Sequence, residues 1–280
     1  MNIHFISKNQ VILENIADFD LAETFNCGQC FRWNKIAKNE FIGIAFKKVI
    51  RILAEKNNII LNGLSVADDF YPIWFRYFDL DTDYSLIKSN LSKIDETLNL
   101  ACKYAPGIRI LNQEPWETLC SFIISQNNNI PRIKNIIERL CQNWGTEIES
   151  QLFSFPSAST LAKLCCDDLK PLKCGFRDTY ILDAAQKIDS GFIDFSKIKN
   201  MPITDARNEL MKIKGVGPKI AECTLLYGFH RLEAFPIDVW MKRALASFFP
   251  EKNVSFFGDY AGIAQQYIFH YSRMNPHLVK

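Results

Sequence analysis

The chain of 280 residues is short of several features that would settle its class at once. Its net charge is only +2, from 33 basic and 31 acidic residues, so no global electrostatic signature of a nucleic-acid protein is present. Divided near residue 115, the first part has 13 basic and 14 acidic residues and the second 20 and 17. That small bias suits a local DNA-binding face better than a basic tail. No apolar run reaches membrane-spanning length, and Met1 to Asp20 lacks the apolar stretch of a signal peptide. No Lys/Arg block resembles a nuclear address. No internal repeat or low-complexity segment is present. Nine cysteines at irregular spacing exclude a regular disulfide framework. The expectation is a soluble protein of a reducing cytoplasm, without a membrane partner.

Some absences concern metals. Cys27-x-x-Cys30 has no second pair at finger spacing and precedes a strand pattern, so a zinc or redox role is disfavoured. No cysteine follows Cys223, and the four histidines are scattered. The expectation is no metal and no cofactor.

What is present divides in two. Cys30 to Trp33, Glu40 to Phe46, Val49 to Ala54 and Ile59 to Leu61 alternate or carry β-formers, with turn signals at Lys47-Lys48 and Lys56 to Asn58. Helical spacing follows over Ala67 to Phe78 and Tyr84 to Tyr104. From Glu117 nearly everything recurs at helical intervals, as in Ile130, Ile133, Ile137 and Leu140. Trp33, Trp74, Trp116 and Trp144 are expected in the core. The fold class is α+β: an N-terminal antiparallel β-sheet unit with helices over 1–115, then an all-helical unit over 116–280.

Leu210 to Asp238 carries the chemistry. Gly215, Val216 and Gly217 form a tight turn between two short apolar-faced helices, with Pro218 suited to the first turn of the second. The free N–H groups of such a turn and helix start hold a phosphate without reading bases. A simple packing corner is the plainer interpretation of GxG alone, but the apolar register around it favours a helix-hairpin-helix. Lys219 stands in that helix's first turn, where an amine is a usable nucleophile for an electrophilic carbon. Asp238, nineteen residues on, is an N-cap that can also point a charged oxygen into a cleft.

The segment resembles the helix-hairpin-helix DNA glycosylases. Its Gly215 to Cys223 run and three further stretches narrow the resemblance to the eukaryotic-type 8-oxoguanine DNA glycosylases: Asn127 to Ile133 with Glu138 to Gln142, Gly28-Gln29-Cys30-Phe31-Arg32-Trp33, and Ala261-Gly262-Ile263-Ala264-Gln265. They run in family order from about residue 20 to 270. The resemblance implies a helix-hairpin-helix glycosylase core acting on duplex DNA that contains 8-oxoguanine; a monomer is the default expectation. It implies excision, preferably opposite cytosine, by base flipping, Schiff-base attack at C1′ and β-elimination. Lys219 would be the nucleophile and Asp238 the carboxylate stabilising the sugar. Gly28, Cys223, Pro236, Gln265 and Phe269 would recognise the damaged base, with the Gly28 carbonyl accepting the N7–H of oxidised guanine. Asn127 would fill the gap in the duplex, while Arg132 and Arg177 read the orphan cytosine beside the wedge Phe176. The hairpin Gly215, Val216 and Gly217 would grip phosphate.

Three residues depart from the family pattern. Phe176 replaces a Tyr, Trp240 a His and Pro218 a Thr-like residue. These departures suggest a prokaryotic branch, working in the cytoplasm on the nucleoid, with looser opposite-base choice. A glycosylase for oxidised pyrimidines and a non-catalytic DNA-binding module remain the alternatives. Some relatives of the superfamily bind an iron–sulfur cluster through four cysteines beyond the hairpin, and their absence here, with the Gly28, Cys223, Gln265 and Phe269 set, argues against the first; the Lys219/Asp238 pair argues against the second.

Overall fold

The computed structural model describes residues 1–279. Six strands form one antiparallel sheet: β1 (Asn2–Ser7), β2 (Gln10–Glu14), β3 (Trp33–Ala37), β4 (Glu40–Ala45), β5 (Lys48–Glu55) and β6 (Asn58–Asn62), in the order β1-β2-β6-β5-β4-β3. Period-two alternation selects the covered face, with Val11 and Leu13 on β2 beside Ile59 and Leu61 on β6. Against that face lie α1 (Leu21–Asn26), α2 (Val66–Asp69), a π-turn over Phe70–Trp74 and α3 (Phe75–Tyr77). Phe25 stacks on Trp33 at 4.0 Å, and the Trp33 indole donates to the Tyr77 hydroxyl at 2.7 Å, so the buried ring leaves no polar atom unpaired.

The remaining helices are α4 (Tyr84–Ile94), α5 (Glu96–Tyr104), α6 (Pro115–Ser125), α7 (Ile130–Trp144), α8 (Ala158–Leu161), α9 (Arg177–Asp189), α10 (Phe195–Ile198), α11 (Ile203–Leu210), α12 (Pro218–Gly228), α13 (Val239–Phe248) and α14 (Ala261–Met274). The buried faces of α4 and α5 join the helical core, not the sheet's core. Polar groups tie the seam between the two cores. Asp79 accepts from Tyr84 at 2.8 Å and pairs with His230 at 3.1 Å. Arg109 donates to the Asp79 carbonyl at 2.7 Å and lies over the Tyr84 ring.

The structure departs from the sequence expectations in several places. β1 and β2 were not anticipated, because β1 is an exposed edge with no burial alternation and β2 reads as an unbroken Val-Ile-Leu run. Cys30 to Arg32 is not strand. Cys30 and Phe31 are both buried, one in each core, at the point where the chain passes between them. The second unit is not all helix, since β7 (Glu147–Glu149) pairs with β8 (Leu152–Phe153) after Gly145. Trp116 and Trp144 are half-buried, with the Trp116 indole donating to the Pro156 carbonyl at 2.8 Å.

Arg32 and Glu117 form an ion pair at 3.5 Å beneath the sheet, and burial pushes the Glu117 carboxyl up to about 7 against the pull of Arg32. A carboxyl whose pKa is higher folded than unfolded favours folding in acid. Its contribution is complete below about 4.5 and is lost as pH rises through about 7. In urea unfolding, Glu117→Gln should therefore gain on the native protein across that window. A pH-independent difference between the two would contradict this.

Candidate active site

Helix α12 fixes the site. Pro218 opens it, Gly217 caps it without a side chain, and every residue from Ile220 to Gly228 is buried. The first N–H groups of such a helix have no intrahelical acceptor. The preceding turn is set by Gly215 at φ +77°, where a Cβ would stand 2.2 Å from the Tyr180 ring. Asp183 on α9 accepts the Lys214 N–H at 2.7 Å and holds the turn against that helix. Val216 plugs the hairpin into the core.

Lys219, Cys223 and Tyr227 follow at four-residue steps, so one face of α12 presents all three. The Lys219 nitrogen lies 4.8 Å from the centre of the Phe122 ring on α6. Phe122 is itself stacked on Tyr227 at 5.5 Å. Burial pushes the Cys223 thiol up to about 11, although the Lys219 amine pulls the other way, so it is a neutral thiol at pH 7. Asp238 caps α13, its Oδ1 accepting the Met241 N–H at 2.8 Å. The chain leading to it is clasped by buried Glu222, which accepts the Phe235 N–H at 2.7 Å and pairs with Arg207 on α11.

These groups meet. One cavity of about 40 Å³ is walled by Gly28, Lys219, Cys223, Pro236, Asp238, Gln265 and Phe269, together with Phe122 and Tyr227. Gly28 sits at φ +93° in a loop fixed by its neighbour. The Gln29 amide donates to the Thr24 carbonyl at 2.9 Å and the Arg109 carbonyl at 2.7 Å, and accepts the Leu111 N–H at 2.9 Å. Gln266 adds a bond to the Cys27 carbonyl at 3.2 Å. Gln265 differs: its buried Oε1 has no hydrogen-bond partner among the described residues. A buried acceptor left unpaired has a desolvation cost of about 1–3 kcal/mol, which a ligand donor would relieve. The cavity has room for about three waters, at roughly 10–15 Å³ each, and is far too small for a purine.

The other anticipated residues form a second cluster. Asn127, at φ +49°, lines an open groove with Gly217, Lys219, Asp238 and Lys242 beside the cavity. Arg177 is only 4% exposed and donates to the carbonyls of Gln126, Asn127 and Cys174, so it braces the asparagine loop. Phe176 is 51% exposed and stacks against Arg177 at 4.5 Å. Arg132 is exposed and reaches the Lys173 carbonyl at 3.4 Å. Phe122, Tyr227, Gln29, Gln266 and Glu222 were not anticipated as site residues. Only Tyr227 had a local signal, its eight-residue spacing from Lys219 on one helix.

Known proteins resemble the chain over nearly its whole length. Residues 120–255 match the HhH-GPD superfamily of base excision DNA repair proteins, and residues 11–119 match the N-terminal domain of 8-oxoguanine DNA glycosylase. A Saccharomyces cerevisiae N-glycosylase/DNA lyase is 34% identical over 82% of this chain and 68% of its own length. The solved structure of MBOgg1 with a low-affinity DNA ligand is 42% identical, covers 98% of this chain and 99% of its own, and superposes with a TM-score of 0.93. The Clostridium acetobutylicum 8-oxoguanine glycosylase/lyase, solved with double-stranded DNA containing cytosine opposite 8-oxoG, is 35% identical over 99% of both chains with a TM-score of 0.92. The chain belongs to the 8-oxoguanine DNA glycosylase family of the HhH-GPD superfamily. Relatives from a yeast, an archaeon and a plant share it, so membership does not indicate a prokaryotic source.

The two hairpin glycines should respond differently to substitution. Gly215→Ala must both strain φ and displace the Tyr180 ring, costing roughly 1–3 kcal/mol or more. Gly217, at φ −96°, has open space where a Cβ would stand, with no atom within 4 Å. It should accept Ala with a stability change within about 0.5 kcal/mol. Equal melting temperatures for the two variants would refute the packing role of Gly215.

Proposed function

We propose that the protein is a bifunctional glycosylase and lyase that removes 8-oxoguanine from duplex DNA, preferring cytosine as the opposite base. The observation that carries the reading is the meeting of seven residues from four separate stretches of sequence around one cavity. An amine and a carboxylate stand on its wall, and an unpaired Gln265 acceptor is buried in it. The turn at Gly215 to Gly217 and the start of α12 grip a DNA phosphate through backbone N–H groups. The target nucleotide leaves the stack, and Phe269 swings aside to enlarge the cavity for the base.

In the opened pocket the Gly28 carbonyl accepts the N7–H that 8-oxoguanine carries and guanine lacks. Guanine would instead set a lone pair against that carbonyl, and the repulsion supplies the discrimination. Gln265 bonds the pairing edge, while Phe269 and Cys223 enclose the ring. The unprotonated Lys219 amine attacks C1′, the glycosidic bond breaks, and its electron pair departs with the base. Asp238 stabilises positive charge developing on the sugar. The secondary amine formed at C1′ opens the sugar ring to a Schiff base, and loss of a C2′ proton expels the 3′ phosphate. On the other side of the duplex, Asn127 fills the vacated space, and Phe176, Arg132 and Arg177 meet the orphan cytosine. Arg177 must exchange some of its present carbonyl contacts to do so.

Borohydride trapping on an 8-oxoguanine:C duplex tests the reading. The native chain should form a covalent adduct and Lys219→Gln none; an adduct that persists in that variant would falsify the assignment. Asp238→Asn should slow single-turnover excision by about 10²-fold or more while duplex binding changes little. Parallel loss of both would reduce Asp238 to a structural cap. Cleavage compared opposite C, A, G and T measures the opposite-base preference.

A further inference from the structure

We propose that α13 supplies a two-cation contact to the DNA backbone, made by Lys242 and by Arg243 braced on Trp240. This rests on the reading that the groove beside the pocket takes duplex DNA. Asp238 creates the need for it. Its carboxylate caps α13, so the positive end of that helix already faces an anion and has little attraction left for a phosphate. The same carboxylate repels any phosphodiester that flanks the sugar it faces. Lys219 cannot compensate at the moment of attack, because its nucleophilic form is the neutral amine. A strand passing Asp238 therefore needs a cation from elsewhere.

Lys242 meets the requirement. It lies four residues after Asp238, on the same helix face, and its backbone N–H bonds the Asp238 carbonyl at 2.9 Å. It lines the groove that also contains Asn127, Gly217, Lys219 and Asp238. It is exposed, and no carboxylate pairs with it among the described residues. Arg243 is its neighbour and is likewise without an acidic partner among those residues. Its guanidinium lies 5.7 Å from the centre of the half-buried Trp240 ring, three residues back on the helix. That contact orients the guanidinium and reduces the freedom it would lose on meeting a phosphate. In a chain with a net charge of only +2, Lys242 beside Asp238 and Arg243 after it are two successive cations without an acidic partner among the described residues.

The salt dependence of binding tests the proposal with the full chain and an undamaged duplex, titrated by fluorescence anisotropy. Each phosphate contact contributes about 0.9 to the slope of log K against log salt. Lys242→Gln and Arg243→Gln should each lower that slope by about 0.9, and the double variant by about 1.8. Between about 50 and 200 mM salt, each lost contact makes the fall in affinity about 3.5-fold smaller. Lys242→Arg keeps the charge and should keep the native slope. An unchanged slope in the double variant overturns the proposal, and a change confined to one single variant overturns the other residue's part. Undamaged duplex needs no lesion recognition. Altered slopes without 8-oxoguanine excision would thus sink the proposed function alone, and normal excision with unaltered slopes would sink this contact alone.

Discussion

The burial of α12 is the constraint on which the rest of the molecule hangs. Its residues pack so closely on α6 that a Cβ at Gly228 would stand 2.9 Å from the Pro115 backbone. With that helix immobilised, its N-terminus aims the hairpin outward, one face presents Lys219, Cys223 and Tyr227, and another offers Glu222. Glu222 then clasps the Phe235 backbone and sets the approach to Asp238. The proposed nucleophile and carboxylate are therefore positioned from a single rigid element, which is how a scaffold holds reacting groups within the tolerance that catalysis demands.

Three buried glutamines near the cavity differ in how fully their amides are bonded. Gln29 is buried with both ends of its amide bonded, and the result is a fixed Gly28 carbonyl. Gln266 is tied between Tyr227 at 2.5 Å and Cys27. Gln265, its neighbour in sequence, keeps a buried oxygen without a partner in the cavity wall. The contrast between adjacent glutamines matters because an unmet acceptor in a low-dielectric interior is costly.

The site is closed. A Cβ at Gly28 would lie 3.6 Å from the Phe269 ring, and Arg273 lies 5.9 Å from the centre of that ring. Arg177 is likewise occupied with the carbonyls of the asparagine loop. On the proposed function, recognition replaces internal contacts with contacts to DNA, and specificity depends on which base makes that exchange favourable. Phe176 carries no hydroxyl, so it can wedge and stack but not hydrogen-bond. Trp240 stacks under Arg243 rather than carrying charge itself.

Local chemistry was legible in the residues. The hairpin at Gly215 to Gly217, the N1 position of Pro218 and the cap at Asp238 are written in short-range steric and hydrogen-bonding rules, and each stands where those rules put it. The distant partners Gly28, Gln265 and Phe269 were reachable through resemblance, since no spacing along the chain relates residue 28 to residue 265. Phe122, Glu222 and Gln29 carried no local signal: an apolar ring, a helix glutamate and a loop amide look alike wherever they occur. Strand β1 escaped because an exposed edge buries too little to show alternation, and β2 because its apolar run is unbroken. Folding alone assigned Arg177 to the loop carbonyls, set the cavity at about 40 Å³ and left the Gln265 Oε1 unpaired. Those outcomes depend on contacts between residues far apart in the chain, and their energies are not encoded in any one segment.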